Sequence, residues 1–227
     1  MLVLCAVFVS LGRWQWHRGA ARALERQQFE QGTQQRLALE GRPLTDAARF
    51  QHVTLRGHYD GTHQFLLDNR VYRGQAGFEV LTPFLRPDGS AVLVDRGFLP
   101  LLGMRTQLPD VSLRAGAEGE RSVSGRVEEL PSPGLARGHA APAAGRGWPK
   151  LTSFPGPSEL ATALGRPLER RIVLLDPEEP DGYLREWHPP GIPAERNWSY
   201  AVQWWGFAAL ALVFWVIVSL RPAEPSP

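Results

Sequence analysis

The longest apolar stretch of the chain lies near its C-terminus, at residues 201–220, and reads AVQWWGFAALALVFWVIVSL. A helix rises about 1.5 Å per residue, so roughly 20 apolar residues cross the hydrocarbon core of a bilayer. About ten residues of the stretch are Leu, Ile, Phe or Val, which together favour insertion by about 3–6 kcal/mol. We therefore predict a membrane-spanning helix over residues 200–220, with a buried core helix as the alternative.

Aromatic side chains mark the entrance of this helix. Tyr200, Trp204 and Trp205 suit the headgroup region, because each places an apolar ring in lipid and a polar group in water. Arg221 and Pro222 close the other end. This arrangement is typical of a transmembrane helix.

The first residues form a second, shorter apolar run. Residues 1–12 extend only about 18 Å as a helix, which is too short to cross a bilayer. A span that begins upstream, a signal peptide and a short interfacial helix are three alternatives; the signal peptide lacks the basic leading region of its class. Trp14, Trp16 and Arg13 fit an interfacial belt, so we favour a truncated first transmembrane helix over residues 1–16.

Alternating and β-branched segments dominate the region between these two helices. Turn residues separate them, most clearly Pro87, Asp88 and Gly89, which predict a hairpin. The predicted strands are HVTLRGHYDG, HQFLLDNRVY, FEVLTPFL, AVLVDRGFL, SVSGRVEEL and RRIVLLD. The fold class is therefore membrane-anchored α+β, with two transmembrane helices flanking a mainly β domain.

The remaining segments complete the domain organisation. A polar helical pattern continues the first helix from Arg18 to about Gln31, so residues 17–45 are a helical extension and linker. The β-rich domain then covers residues 46–195 and contains one helix, PSELATALG, which ends at Gly165. Residues 131–149 have few large apolar side chains and predict a flexible loop.

Composition narrows the classes of function. The formal net charge is +2, and the basic residues are spread along the chain among acidic ones, which disfavours nucleic-acid binding. Cys5 is the only cysteine, so neither an internal disulfide nor a thiolate metal site of the CxxC type is available. We expect one domain, attached to a membrane.

Candidate chemistry is sparse. His52, His58 and His63 lie close together in sequence and allow a metal site, but solvated strand-edge histidines are the simpler interpretation. The charged residues of the central strands favour cross-strand ion pairs on a solvated face, with a partner-binding surface as the alternative. They are Asp68, Arg70, Arg73, Asp95 and Arg96. Nucleophile elbow, zinc, P-loop and dinucleotide motifs are missing from the sequence, so we expect no catalytic residues and no resident metal.

Five ordered blocks resemble the Surfeit-locus (Shy-type) family of cytochrome c oxidase assembly factors. They are LGRWQWHR, LLDNRVYRGQAGFEVLTPF, AVLVDRGFLP, GWPKLTS and NWSYAVQWWGFAAL. The resemblance covers nearly the whole chain. It implies a double-pass protein of the bacterial inner membrane, with both termini in the cytoplasm, including the tail at residues 221–227, and the main domain in the periplasm.

The same resemblance implies the function. It predicts a chaperone-like assembly factor for an aa3-type haem-copper oxidase, which assists maturation of subunit I by delivering or inserting haem a and is not an enzyme. The expected partners are subunit I, other oxidase assembly factors and membrane lipid, with a homo-oligomer left open. Haem a would be bound transiently. A membrane-anchored periplasmic interaction or sensor domain without an oxidase client is the alternative function, and an enzyme is a third.

Site residues follow from the family motifs. Many members carry a histidine, expected to ligate haem, where this chain has Asn197; His17 and then His188 are the substitutes by position. The candidate haem environment is His17, His188, Asn197, Tyr200 and Trp204. The candidate partner-binding residues are Trp14, Gln15, Arg18, Arg70, Gly74, Gly77, Arg96, Gly97, Gln203 and Gly206.

Overall fold

The structure is a computed structural model, and it describes residues 1–32, 34, 36–103, 107–132, 138–144 and 147–220. Within these residues the chain forms two compact units. The helix unit consists of Met1–Gln28 and residues 189–220, and the β unit is Phe29–His188.

The described elements follow one another in a simple order. The helices are α1 (Leu2–Gln31), α2 (Pro157–Leu164) and α3 (Ala194–Ser219), and Leu44–Asp46 forms a 3₁₀ turn. The strands are β1 (Arg36–Ala38), β2 (His52–Tyr59), β3 (Phe65–Tyr72), β4 (Gln75–Leu85), β5 (Ala91–Pro100), β6 (Arg121–Glu129), β7 (Lys150–Thr152) and β8 (Leu168–Leu175).

The β unit contains a closed barrel of five strands. The order β2-β6-β8-β5-β4 returns to β2 through the pairs His58 with Leu85 and Tyr59 with Phe84. β5 and β8 run parallel, and the other barrel strands pair antiparallel. β1 extends the sheet beside β2, and β3 and β7 extend it beyond β4. Closure pairs backbone N–H and carbonyl groups of β2 and β4 that would be exposed at the edges of an open sheet.

Two hydrophobic clusters cover the barrel strands on both faces. The first is dominated by Val and Leu side chains of β2, β5, β6 and β8, including Val53, Val92 and Val173. The second joins β3, β4, β5 and β8 to Leu160 of α2, which is fully buried. Burial of a leucine contributes roughly 1.5–3 kcal/mol, so Leu160 helps to hold α2 on the sheet, where Ala163 and Leu164 also pack.

Local signals explain the ends of α2 and the predicted hairpin. Glu159 accepts a hydrogen bond from the N–H of Gly156 at 2.8 Å, and Gly165 ends the helix with φ 74°. In the hairpin between β4 and β5, the N–H of Gly89 donates to the carbonyl of Arg86, and Asp88 accepts from Ser90. Both predicted elements are confirmed.

The helix unit pairs α1 with α3. α1 is one continuous helix from Leu2 to Gln31, about 45 Å long at 1.5 Å per residue. α3 has a mean hydropathy of 2.0 over its most apolar window and, among the described helices, is the one that is long and apolar enough to cross a membrane. A first transmembrane helix at residues 1–16 remains a prediction.

Several sequence predictions about side chains are wrong. His52 was expected to be solvated but is only 4 % exposed, and Asp95 and Arg96 are buried rather than on a solvated face. The reason is that both faces of β5 are covered, so its residues do not alternate between core and solvent. Parts of the predicted flexible loop, residues 133–137 and 145–146, lie outside the described residues.

Candidate functional site

Two pairs of glycine and tryptophan residues join the helices of the helix unit. A Cβ on Gly12 would overlap the indole of Trp205, and a Cβ on Gly19 would overlap the indole of Trp198. The glycines are seven residues apart on α1, and the tryptophans are seven residues apart on α3. Equivalent positions therefore recur after two helical turns, as in a coiled-coil seam between antiparallel helices.

Further aromatic rings fill the same interface, which we call the aromatic seam. Trp16 lies between the two tryptophans of α3, with its ring centroid 5.9 Å from Trp198 and 5.8 Å from Trp205. Phe8 stacks on Trp204 at 5.8 Å. The rings of these five residues occupy the space between α1 and α3, so a large planar ligand could enter only by displacing them.

The candidate haem residues are distributed over both units. Trp204 belongs to the aromatic seam, while Tyr200 and His17 are exposed. Asn197 is 3 % exposed, and its Nδ2 has no hydrogen-bond partner among the described residues. His188 belongs to the β unit, and its side chain is 75 % exposed.

One side chain of the helix unit has the chemistry of an axial ligand for haem iron. A neutral imidazole is the usual axial donor, whereas an amide is a poor one. His17 is the only histidine of the helix unit, and its exposed ring is available for ligation. Asn197 offers a buried amide with an unsatisfied donor, which can hold a polar substituent but not iron.

The candidate partner-binding residues of the helix unit lie on different faces. The guanidinium of Arg18 lies over the ring of Trp14 at 5.2 Å, and both side chains are exposed. Gln15 Oε1 is buried without a hydrogen-bond partner among the described residues. On α3, Gln203 is exposed, and a Cβ on Gly206 would meet no atom within 4 Å.

A charged cluster connects β3, β4 and β5; Asp95 is buried, whereas the side chains of Arg70 and Glu79 are 23 % and 25 % exposed. Arg70 Nε lies 2.9 Å from Glu79 Oε2, and Asp95 Oδ1 accepts a hydrogen bond from the N–H of Gly97 at 2.9 Å. Burial raises the pKa of Asp95 well above its usual range, and the charge of Glu79 raises it further. Burial also raises the pKa of Glu79, against the effect of Arg70. One arginine faces two carboxyl groups, so the cluster favours a retained proton.

Arg96 is buried in the β unit, where its side chain links three segments of the chain by hydrogen bonds. Its guanidinium donates to the carbonyl of Asp181 at 2.6 Å, to Gln64 Oε1 at 2.9 Å and to the carbonyl of Val111 at 3.2 Å. It also lies 5.1 Å from the ring centroid of Tyr183. Burial lowers the pKa of Arg96. Its donors are directed at three segments of the chain rather than at solvent.

The hairpin between β3 and β4 ends in a two-residue turn. Arg73 and Gly74 have φ values of 48° and 80° and connect Tyr72 to Gln75, as in a type I′ turn. Arg73 would resist this conformation, but its guanidinium donates to both oxygens of Glu186, at 2.8 and 3.1 Å. Hydrogen bonds from Tyr72 and from Arg73 lower the pKa of Glu186.

The same hairpin carries an aromatic platform. Tyr72 and Phe98 have ring centroids 5.6 Å apart, and a Cβ on Gly77 would overlap the Phe98 ring. Val71, between Arg70 and Tyr72, is 70 % exposed. The hairpin thus brings together Arg70, Gly74 and Gly77, three of the predicted partner-binding residues.

Several residues that hold these features in place were not predicted from the sequence. Trp198 could have been found, because its spacing from Trp205 equals that of Gly12 from Gly19. Glu186 gives no local signal, since its partner Arg73 lies 113 positions away in the chain. Glu79 meets Arg70 only once β3 pairs with β4. Arg126 was also missed; it donates to the carbonyl of Phe29 in the last turn of α1 and lies over that ring.

The three clustered histidines have separate environments. His52 contacts the carboxylate of Asp176, His63 Nδ1 lies 2.8 Å from Asp60 Oδ2, and His58 is exposed. Among the described residues, no three His, Cys, Asp or Glu side chains form a group that could hold a metal ion.

Comparison with known proteins gives a consistent result. The sequence model of the SURF1 family matches residues 2–209. The chain is 27 % identical to an uncharacterised SURF1-like protein of Mycobacterium bovis, over 90 % of this chain and 74 % of the relative. SURF1-like proteins of two Mycobacterium tuberculosis strains match with the same identity and coverage.

Proposed function

Since this chain belongs to the SURF1 family, we propose that it is a membrane-anchored assembly factor for a haem-copper terminal oxidase of the aa3 type. It assists maturation of subunit I and catalyses no reaction of its own. The family match carries this proposal, because it extends from α1 through the β unit into α3. The match therefore includes both the membrane helix and the domain that would meet the client.

The proposed location is the bacterial inner membrane. α3 supplies one candidate span, and α1 begins with an apolar segment and pairs with α3 through the aromatic seam. Two crossings that bracket the β unit place both termini on one side of the membrane and the β unit on the other. We assign the termini to the cytoplasm and the β unit to the periplasm.

Within this role, we assign haem a as a transient cargo. His17 is the one imidazole of the helix unit, and on the first-span assignment it lies just outside the apolar run of α1. Its exposed ring would hold the cargo at the membrane surface. The aromatic seam is already filled, so the cargo would lie on the outside of the helix pair.

Copurification tests the proposed client directly. The full chain, purified in mild detergent from cells with an aa3-type oxidase, should carry subunit I, whereas an interaction domain without an oxidase client would not.

The haem assignment is tested by absorption of the purified protein. A Soret band should accompany the wild-type chain, should fall at least tenfold in His17→Ala, and should persist in His58→Ala, which changes an exposed histidine of the β unit. If subunit I copurifies but no Soret band is seen, the assignment of haem a as cargo fails, while the proposed role in oxidase assembly stands.

A further inference from the structure

Among the described residues, the outer half of β3 pairs with a strand on one side only. β4 pairs with β3 along one side as far as Tyr72, but on the other side β7 pairs only with Phe65, Leu66 and Leu67. Two residues beyond β7, Phe154 takes a left-handed conformation, with φ 50°, and a proline follows it. Among the described residues, no strand pairs with residues 70–72 on this side.

The backbone groups of Val71 point toward this side of β3, away from β4. Tyr72 and Gln75 flank a two-residue turn and form the hydrogen-bonded pair that closes it. The next pair, Val71 with Ala76, is therefore of the non-hydrogen-bonded kind. The carbonyl of Ala76 agrees with this assignment, because it accepts from the N–H of Leu101 on β5, away from β3. The N–H and the carbonyl of Val71 thus face outward.

The hairpin that presents this edge is already ordered. Arg73 is bound to Glu186, and Tyr72 packs beside Phe98. A partner strand would meet a preformed edge and would not have to order it, which lowers the entropic cost of binding. The nearby charges are paired within the β unit, Arg70 with Glu79 and Arg73 with Glu186.

We propose that the edge of β3 at Val71 binds an extended segment of the client protein by β-strand addition. The interior of a helix cannot fill this site, because its backbone donors and acceptors are used internally. The segment is extended, uncharged and carries an apolar side chain beside the exposed side chain of Val71, since the neighbouring charges are neutralised and the exposed side chain is aliphatic. This inference rests on the proposed function, which supplies subunit I as the client.

Proline at position 71 isolates the backbone contribution. Val71→Pro removes the outward N–H and leaves the β3–β4 hydrogen bonds in place, because residue 71 donates none to β4. Val71→Ala is the matched control, since it shortens the side chain and keeps the N–H. In a strain that lacks the native gene, we expect Val71→Pro to lower copurified subunit I at least tenfold at equal membrane level, and Val71→Ala to lower it less than threefold.

A second measurement does not depend on the folding of the proline variant. The photoreactive p-benzoylphenylalanine at position 71 of the full chain should crosslink to subunit I, whereas the same residue at position 58, also exposed on the β unit, should not. A crosslink of position 71 mainly to a second copy of this chain would overturn the proposal in favour of edge-to-edge pairing.

Failure of the edge proposal can be distinguished from failure of the proposed function. If the wild-type chain restores the oxidase and binds subunit I, but Val71→Pro does so equally well and position 71 gives no crosslink, the edge proposal fails while the proposed function stands. If the wild-type chain neither restores the oxidase nor binds subunit I, the proposed function fails, and the edge proposal fails with it.

Discussion

The indole of Trp205 occupies the space into which a Cβ on Gly12 would project. The same relationship recurs two turns away between Trp198 and Gly19. Small residues allow close helix contacts in a bilayer, where water provides no hydrophobic driving force for helix association. The pairing of α1 with α3 therefore depends on particular glycines rather than on apolar character alone.

Alanine at position 12 should weaken the helix pair. The added methyl would force the Trp205 ring or the helix backbone to shift, and overpacking of this kind costs about 1–3 kcal/mol. Gly206→Ala is the matched control, because that position is open and alanine is the better helix former by about 1 kcal/mol. Reversible unfolding in detergent, followed by tryptophan fluorescence, should show a loss for Gly12→Ala and none for Gly206→Ala. Equal losses would mean that the glycine fit is not important.

Arg126 should stabilise the β unit through the end of α1. Its guanidinium donates to the carbonyl of Phe29 at 2.6 Å and lies 3.7 Å from the centroid of that ring. Because a helix leaves its last carbonyls unsatisfied, Arg126→Ala should cost about 1.5–3 kcal/mol. Arg56→Ala removes only an exposed pair with Glu120 and should cost less than about 1 kcal/mol. Urea unfolding of the full chain in detergent compares them, and similar costs would argue against the helix-end contact.

The free energy of unfolding should fall as the pH rises through the range in which the buried carboxyl group of Asp95 ionises. The raised pKa of Asp95 in the folded state means that its stabilising contribution is complete below an unfolded pKa of about 3.9 and is lost as the pH rises through the folded pKa. Asp95→Asn cannot ionise and keeps the acceptor for Gly97. Urea midpoints measured from pH 5 to 8 should therefore fall with pH in the wild type and fall less steeply in the variant.

Measurements from pH 5 to 8 do not include the titration of Asp88, which changes stability with pH in the opposite direction. At Asp88, burial acts to raise the pKa, but hydrogen bonds from Ser90 and Arg86 outweigh it and lower the pKa to about 2. That stabilisation is present above about pH 3.8 and is lost only as the pH falls toward 2. A steeper slope in Asp95→Asn than in the wild type would contradict the assignment of the retained proton.

The proposed membrane insertion of α3 can be tested by introducing a charged residue into the helix. Val213→Arg places a cation in the apolar window and should oppose insertion by about 2.5–3.5 kcal/mol; Val213→Leu is the control. A green fluorescent protein fused after residue 227 should fluoresce in the wild type and the control, because the proposed orientation puts that terminus in the cytoplasm, and should dim in the arginine variant. Dark fusions of the wild type would reverse the proposed orientation.

The sequence was sufficient for the local elements of the fold. The turn at Pro87 to Gly89 and the ends of α2 are specified by nearby residues, and the structure confirms them. Closure of the barrel between β2 and β4 could not be predicted, since it joins segments without a shared local signal. β1 and β7 have three residues each, which is too short for a period of two to appear.

The candidate site was predicted less completely. The family motifs led to Arg70, Gly74 and Gly77, which the structure places on one hairpin, but they did not lead to Glu79 or Glu186, the partners that fix it. Burial was misjudged at Asp95 because the bulge near this position and the two-sided cover of β5 remove the expected alternation. Tertiary contacts determined these outcomes, across the β3–β4 hairpin for Glu79 and between distant segments for Glu186.

The most direct measurement is the reduced-minus-oxidised absorption spectrum of membranes from a host with an aa3-type oxidase, recorded with and without the gene for this chain. The account requires the haem a band and the cytochrome c oxidase activity to fall severalfold in the deletion strain and to return when the full chain is supplied. A deletion strain with a normal haem a band and normal oxidase activity would contradict a role in oxidase assembly.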